Sequence, residues 1–597
     1  MKRVGQAAMI ALAMAGLALY SPFAAELTWG SALARALGGG ALAGVALWRA
    51  RPQKRAIRYA FGTGAAFALS CVLGMELQNH GVIRPDASAL ALNLLCFVGL
   101  GCLWGLLGLW LLTRGGAAIR RLSRWEERRA LEPAGFPKKL FFTAWLGVFL
   151  CWLPVWLAFF PVLGNYDIAS HVQQCVSGAY STLHPLLYTL LIKAFMELGG
   201  ENHTLAMALL AAFQLLLMSG SFACAAARAR QLGARLFAVL GVLAFCALFP
   251  VFPILSLSVT KDAPYACFAL LTMTELARLF ALPADEKKRA VAPFLLCAAL
   301  TGLLRYNGVV ALGLMTLGAL ALWRGAAWKE RLGFAALSIA AAALVAVGTA
   351  GLNGATRAES SFVTRRDLAS LPSQQLIRSA LETEDYDEYL RIMQWYGGET
   401  ALTRYRPRLA DYTKLYIKVD HDDGWRGYYR TWLQVGLRHP KAYLEAFLEL
   451  NRGLWFVDDL SHTEIYVTGL EHFGYLTNNE VDCAQEGYLI SYDSKLPGLK
   501  ALLNRLTADN GYLAIPGVRW LFSVGFQCWL ALALGVIGLY RRDRVLSRAM
   551  SWSVAQLIVL LAAPAVLVRY ELPIFCGNAL GLMLATRRVQ PRPKINS

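Results

Sequence analysis

Apolar stretches of about 16 to 25 residues recur along the chain between short basic clusters, matching the helix length that crosses the roughly 30 Å of bilayer hydrocarbon. Fourteen such spans fall near 7–24, 30–48, 59–77, 88–113, 141–163, 205–226, 236–252, 263–282, 290–304, 307–323, 331–352, 516–540, 549–568 and 571–586. With the N-terminus cytoplasmic, about 32 Lys and Arg gather in the inner connections, against about 5 in the short outer ones. The inner set includes 49–58, 114–139, 228–235, 287–289, 324–331, 541–548 and the tail from Arg587. Such a bias sets orientation in a multi-pass protein. The alternation holds only if 182–198 does not cross, so this stretch reads as an interfacial or re-entrant helix on the outer face, headed by His184-Pro185. Likewise Arg305-Tyr306-Asn307 divides 290–323 into two crossings and puts Arg305 at the outer surface. The expected fold is an all-α polytopic membrane protein in a bacterial plasma membrane, with both termini cytoplasmic.

Between 353 and 515 the pattern changes: about 23 of the chain's 39 acids lie there, with aromatic clusters and long helical periodicities over 371–395 and 440–452. This predicts a mainly helical extracytoplasmic domain. The other divisions are a four-helix membrane bundle over 1–113, a basic amphipathic linker over 114–140, a membrane module over 141–352 with its first outer loop at 164–204, and C-terminal membrane helices with a basic tail over 516–597.

Composition sharpens this picture in two places. At 57% hydrophobic and 16% charged, with a mean hydropathy of +0.45, the chain is too apolar for a water-soluble domain of its size. The net charge of +19 sits in the inner loops, so it reads as topology and leaves no nucleic-acid partner to invoke. Nearly all of the 12 cysteines lie in apolar segments, where a thiol behaves as a small hydrophobe. Cys175 and Cys483 fall outside, which leaves a disulfide between them as the alternative to two free thiols.

An ionisable group at membrane depth is costly and usually functional, so the informative residues are those clustered where spans emerge on one face. In the first outer loop, a helix over Asp167-Ile168-Ala169-Ser170-His171 sets Asp167, His171 and Gln174 on one side, where a carboxylate and an imidazole can share a proton. Asp167 as a plain N-cap is the alternative. His184 is open to phosphate binding, metal binding or a mere interfacial position. No paired His or Cys spacing marks a metal site, and a divalent cation stays an open addition. Lys261 and Asp262 would point about 100° apart on a helix, one toward an anion and the other toward a hydroxyl, with capping by Asp262 as the competing use. Arg305 and Arg569 add planar, permanently charged forks suited to phosphate, or to lipid headgroups by snorkelling. An outer cluster of Asp, His, Lys and Arg at the membrane surface suits a substrate whose phosphate lies among headgroups while its tail stays in lipid.

This arrangement resembles the GT-C class of membrane glycosyltransferases, which includes protein mannosyltransferases and aminoarabinose transferases. The class carries an acid in the first outer loop, here Asp167. A Pro-led amphipathic helix follows, here from His184-Pro185, and a second acid sits on the next outer connection, here Asp262. The chain is most similar to a bacterial polytopic family with the same D…HP…KD…RYN…RY series, over about 140 to 590. The aminoarabinose type has Lys-Pro-Pro where this chain has Leu183-His184-Pro185, and the mannosyltransferase type has Asp-Glu where it has Asp167-Ile168. The resemblance implies transfer of a sugar, with inversion, from a polyprenyl-phosphate donor to a glycan, lipid or protein acceptor on the outer surface. Asp167 would act as general base, with Lys261, Arg305 and Arg569 on the departing phosphate. The outer domain would select the acceptor through Trp425, Tyr428, Tyr429 and Trp432, with Asp411, Asp458 and Asp459 as further candidates. The alternatives are a transporter or flippase for a lipid-linked or anionic solute, a polysaccharide ligase or polymerase, and a non-catalytic cell-envelope assembly protein.

Overall fold

The computed structural model describes residues 2–21, 29–50, 53–122, 135–165, 167–283, 286–323, 327–359, 363–419, 424–459, 487–515 and 517–587. Among the described residues the chain is helical throughout, without a strand. A helix lies over each of the fourteen predicted spans. Seven helices are long and apolar enough to cross a membrane, and an eighth crossing is made if Leu236–Leu248 and Val251–Leu257, bent by 53°, count as one. The remaining predicted spans correspond to helices that are short, or that carry polar residues where other helices surround them.

Four helices open the chain: α1 (Lys2–Leu19), α2 (Trp29–Arg49), α3 (Lys54–His80) and α4 (Ala87–Leu122). They approach closely because glycine removes the side chain at the crossing points. A Cβ on Gly16 would lie 2.5 Å from the backbone of Gly99, and one on Gly64 2.5 Å from that of Gly105. Helix α4 runs past the predicted end at 113 through Gly115 and Gly116 to Leu122, so the span and the start of the basic linker are one helix; 123–134 lie outside the described residues.

The central body follows as α5 (Lys138–Ala158), α6 (Asp167–Ser177), α7 (Leu186–Gly199), α8 (His203–Gln231), α9 (Leu236–Leu248), α10 (Val251–Leu257), α11 (Asp262–Ala281), α12 (Lys288–Leu304), α13 (Asn307–Ala321) and α14 (Trp328–Thr356). It closes with α15 (Val524–Arg541), α16 (Arg544–Leu560) and α17 (Val568–Ala585). One apolar core unites these helices, with Trp152, Tyr188, Tyr265 and Trp552 fully buried in it. Helix α7 has 14 residues, about 21 Å at 1.5 Å per residue, too short to cross hydrocarbon. Between α12 and α13 the backbone opens at Arg305, where φ −147° and ψ 129° interrupt the helical run.

The two ends of this body differ in charge. Residues from several predicted inner loops meet at one end: Arg114 Nε donates to Arg49 O (2.7 Å), Arg55 to Leu539 O (2.8 Å), and Arg541 to Arg587 O (2.8 Å). The residues of the predicted outer loops meet at the other.

The described part of 353–515 is mainly helical, but the pattern over 371–395 forms two helices, Ser370–Glu382 and Tyr386–Met393, with Asp385 capping the second. The core of this domain holds Leu376, Ile377, Trp395, Tyr396 and Tyr428. Here one member of the expected aromatic recognition face is corrected, because Tyr428 lies in the interior while Trp425, Tyr429 and Trp432 are half-buried. Tyr428 is fully buried, meeting Trp395, Trp425 and Tyr429 edge to face, and Trp432 donates to Gln375 Oε1 while packing on Tyr443. Gly427, Tyr428, Thr431 and Val435 recur at helical spacing because they face the domain's interior, while Leu433 and Leu437 stay exposed. Asp458 and Asp459 are likewise structural. Asp459 pairs with Arg408 and Arg452, while Asp458 accepts from Tyr20 (2.8 Å) and Trp520 (2.9 Å) and pairs with Arg519 (3.1 Å), tying the opening bundle to the outer domain.

Candidate functional site

Two loops 94 residues apart are stitched side by side. Leu163 N donates to Leu257 O (3.0 Å) and Val259 N to Leu163 O (3.2 Å), a short parallel bridge that aligns the turn before α6 with the turn before α11. Asn165 reinforces it, giving its amide to Val259 O (2.7 Å) and Ser258 Oγ (3.2 Å) and accepting from Asp167 N (2.7 Å). Asn165 thus satisfies the orphan N–H that opens α6, and the Asp167 side chain is released from capping. On the facing turn Thr260 Oγ1 accepts from Asp262 N (3.3 Å) and donates to Asp262 Oδ2 (2.8 Å).

The released side chains form a line of alternating charge. Lys261 Nζ lies 3.1 Å from Asp167 Oδ2, and Arg569 Nη1 lies 3.3 Å from the same oxygen. Arg569 also faces Asp262 Oδ2 at 3.6 Å, and Asp262 Oδ1 meets Arg305 Nη1 at 2.8 Å, as a charge contact without hydrogen-bond alignment. Beyond Lys261 the line ends at His184, whose Nδ1 lies 3.1 Å from the ammonium. An ammonium can only donate, so His184 is a neutral imidazole with its hydrogen on Nε2. Tyr570 flanks both guanidinium groups, 4.8 Å from Arg305 and 4.9 Å from Arg569, and Tyr265 takes the other side of Arg305 at 5.6 Å.

Asp167, His171, His184, Lys261, Asp262, Arg305 and Arg569 are therefore in or beside one cluster, but one pairing is corrected. Asp167 and His171 do not share a proton, because the carboxylate turns to Lys261 and Arg569. The imidazole Nδ1 turns to Thr189 Oγ1 (2.9 Å), and its Nε2 has no hydrogen-bond partner among the described residues. His171 instead packs on His184, ring centroids 4.8 Å apart, and on Tyr188 at 5.4 Å. Gln174 is structural, accepting from Ser181 N (3.0 Å). Asp262 uses its carboxylate on Arg305 and Arg569 and does not cap α11. Asp411 pairs with Lys414 (2.6 Å) on a segment docked beside α17, where Ala410 N donates to Pro564 O (2.8 Å). Cys175 donates to Thr189 O (3.4 Å), and Cys483, its proposed disulfide partner, lies outside the described residues.

Burial pushes the Asp167 carboxyl up, but Lys261 and Arg569 outweigh it and hold the group well below the usual carboxylate range. Burial and the Lys261 charge push His184 down to about 4, and burial with His184 as neighbour pushes His171 well below its ordinary value. With both imidazoles neutral, three cations (Lys261, Arg305, Arg569) face two carboxylates (Asp167, Asp262). Three cations in contact with two carboxylates can rearrange around an anion.

Beside the cluster runs an apolar groove of about 380 Å³ between α12, α13 and α14, lined by Gly302, Val345, Ala346 and Thr349 and reaching Tyr306 and Asn353. Tyr306 donates to Thr182 O (3.2 Å) and His184 O (3.4 Å), so the groove ends against the head of α7. Among the described residues no group of three or more His, Cys, Asp or Glu converges to hold a metal ion.

Sequence reasoning passed over Asn165, Thr260 and Tyr570, whose neutral side chains send no charge signal. It also passed over Glu571, fully buried with both carboxyl oxygens unpartnered among the described residues. An acid at the head of an apolar span is the signal that would have found it. A family profile, the family of unknown function DUF6020, matches residues 158–595, which leaves the four-helix bundle outside the match. No curated protein and no solved structure matches.

Proposed function

We propose that this chain, which belongs to the DUF6020 family of unknown function, is a membrane glycosyltransferase using a polyprenyl-phosphate-linked sugar. The observation that carries the reading is the pairing of a cation-rich charge line with an apolar groove at its edge. A phosphate on a lipid tail needs both in that order.

In this reading the donor phosphate sits against Lys261, Arg569 and Arg305, and the first prenyl units lie in the groove beside Tyr306. An acceptor hydroxyl attacks the anomeric carbon and its proton passes to Asp167. The anomeric C–O bond breaks, and its electron pair leaves on the polyprenyl phosphate. A phosphate leaving group needs no general acid, so one carboxylate and a positive cradle suffice. The resting pairs also give Asp167 a reason to wait. While Lys261 and Arg569 hold it, the carboxylate is a weak base; a phosphate that takes up both cations restores its basicity when a donor is present.

The fourteen-crossing thread with both termini cytoplasmic belongs to the same proposal. It is supported by the sorting of outer-loop residues to one end of the body and inner-loop arginines to the other, and it puts the cluster at the outer face of the plasma membrane. The test is transfer of radiolabelled sugar from polyprenyl-phosphate donors by the purified protein in liposomes, wild type against Asp167→Asn, with donor binding measured separately. Loss of transfer with binding intact supports the base role; equal rates remove it.

A further inference from the structure

The domain over 353–515 rests on the opening bundle through a buried ion pair. Glu445 accepts from Ile83 N (2.9 Å) and pairs with Arg378 (2.7 Å), and Arg378 also donates to Gly81 O (3.3 Å). Residues 81–83 belong to the turn between the apolar helices α3 and α4, and a turn between two spans lies at headgroup level, so this contact holds the helix Pro440–Leu450 beside the membrane surface. The preceding helix, Gly424–Arg438, is joined to it through His439 alone and lies close against it: a Cβ on Gly436 would come 2.6 Å from the Tyr443 ring. The face of Gly424–Arg438 opposite the domain interior is a stripe at helical spacing, Arg426, Arg430, Leu433 and Leu437, with the two leucines 57% and 77% exposed. Leu444 is likewise exposed on the next helix.

We propose that this face docks on acidic phospholipids of the adjoining leaflet, its leucines at the acyl boundary and its arginines on lipid phosphates. Three observations point to that occupant. The first is charge: about 23 of the chain's 39 acids lie between 353 and 515, yet the exposed positions of these two helices carry Arg426, Arg430, Arg438 and Lys441 and no acid. Arg438 and Lys441 reach Glu388 (3.3 Å) and Glu445 (3.7 Å), whereas Arg426 and Arg430 have no hydrogen bond or ion pair among the described residues. The second is position, because the α3–α4 turn sets the stripe at the depth where interfacial helices bury leucine and extend arginine to phosphate. The third is what the face opposes: a second copy would set the same four cations against themselves across a two-fold contact, whereas acidic lipid neutralises them. The inference stands independently of what the Asp167 site catalyses and of which membrane face is outside.

The test uses the full-length protein with its native cysteines replaced and a nitroxide at Leu437→Cys, reconstituted in vesicles of phosphatidylcholine and phosphatidylglycerol. Collision with oxygen, which partitions into lipid, is compared with collision with a water-soluble nickel chelate. Thr400→Cys, exposed on a short helix of the same domain, is the reference. The nitroxide at 437 favours oxygen relative to that at 400, and Arg426→Gln and Arg430→Gln each lower the preference by about fivefold. Arg430→Lys keeps the charge and the preference, which covers a failure of the glutamine variants to fold. In vesicles of phosphatidylcholine alone the preference is weaker. Access of the chelate at 437 as free as at 400, or a preference indifferent to phosphatidylglycerol, overturns the proposal. Dipolar broadening between labelled copies that disappears on dilution with unlabelled protein does so too, by making a second copy the occupant.

Discussion

Helix α17 carries an arginine cluster at each end, and the two are built differently. At its start, Arg569 stands between Asp167 and Asp262, and each cation nearby has a carboxylate or an imidazole within 3.6 Å. Past its end, about 27 Å away at 1.5 Å per residue, Arg587 pairs with Asp543, and Arg541 donates to the main-chain carbonyls of Ala585 and Arg587. The first end is nearly balanced, so an incoming anion must displace internal partners, and displacement changes the state of Asp167. At the second, the guanidinium of Arg541 is bonded to main-chain carbonyls and that of Arg587 to an acid that also caps α16, so the arginines fasten helix ends together. A network of side-chain pairs can rearrange around a ligand; guanidinium groups bonded to the main chain hold helix ends in place.

The sharpest way to break this contrast is at Asp167. Asp167→Asn keeps the shape and removes the base, and transfer falls by about 10² to 10⁴-fold, read as initial rate in liposomes. Next is Asp262→Ala, which leaves Arg305 buried without its carboxylate and costs about 3 to 5 kcal/mol, read as a lower midpoint of unfolding. At the opposite end Asp543→Ala removes a helix cap and a partner of Arg587, and costs less, about 1 to 2 kcal/mol by the same measurement.

A further effect is on pH dependence, and its sign follows from His184. Its folded pKa of about 4 lies below the ordinary 6.5, so the unfolded chain takes the proton first. The stabilisation is present in full above pH 6.5 and is lost as pH falls from there toward 4. Wild type therefore loses stability across that window, and His184→Gln flattens the slope. Asp167, held below the carboxylate range, gives a loss of the same sign only under still more acid conditions.

The helices were legible because hydrocarbon demands apolar length, and the charge line because ionic groups at the ends of spans stand out against apolar surroundings. Lys261 and Asp262 serve different partners, as adjacent positions on a helix require. What the sequence hid was set by packing. Asp167 and His171 share a helix face, yet Asn165 and Thr189 decide where each side chain turns. Tyr570 reads as one aromatic among 23 tyrosines until two arginines settle against it. Tyr428 has the chemistry of a sugar platform, and burial alone shows that it belongs to the core.

Sidedness decides most directly whether the charge line works outside. In a background with the native cysteines replaced, Ser177→Cys at an exposed position of α6 and Arg58→Cys at an exposed position of α3 would be labelled with a membrane-impermeant maleimide in intact cells. Labelling at 177 without permeabilisation, and at 58 only after it, is the predicted result. Labelling at 177 only after permeabilisation would put Asp167 at the cytosolic face and contradict an extracytoplasmic transferase.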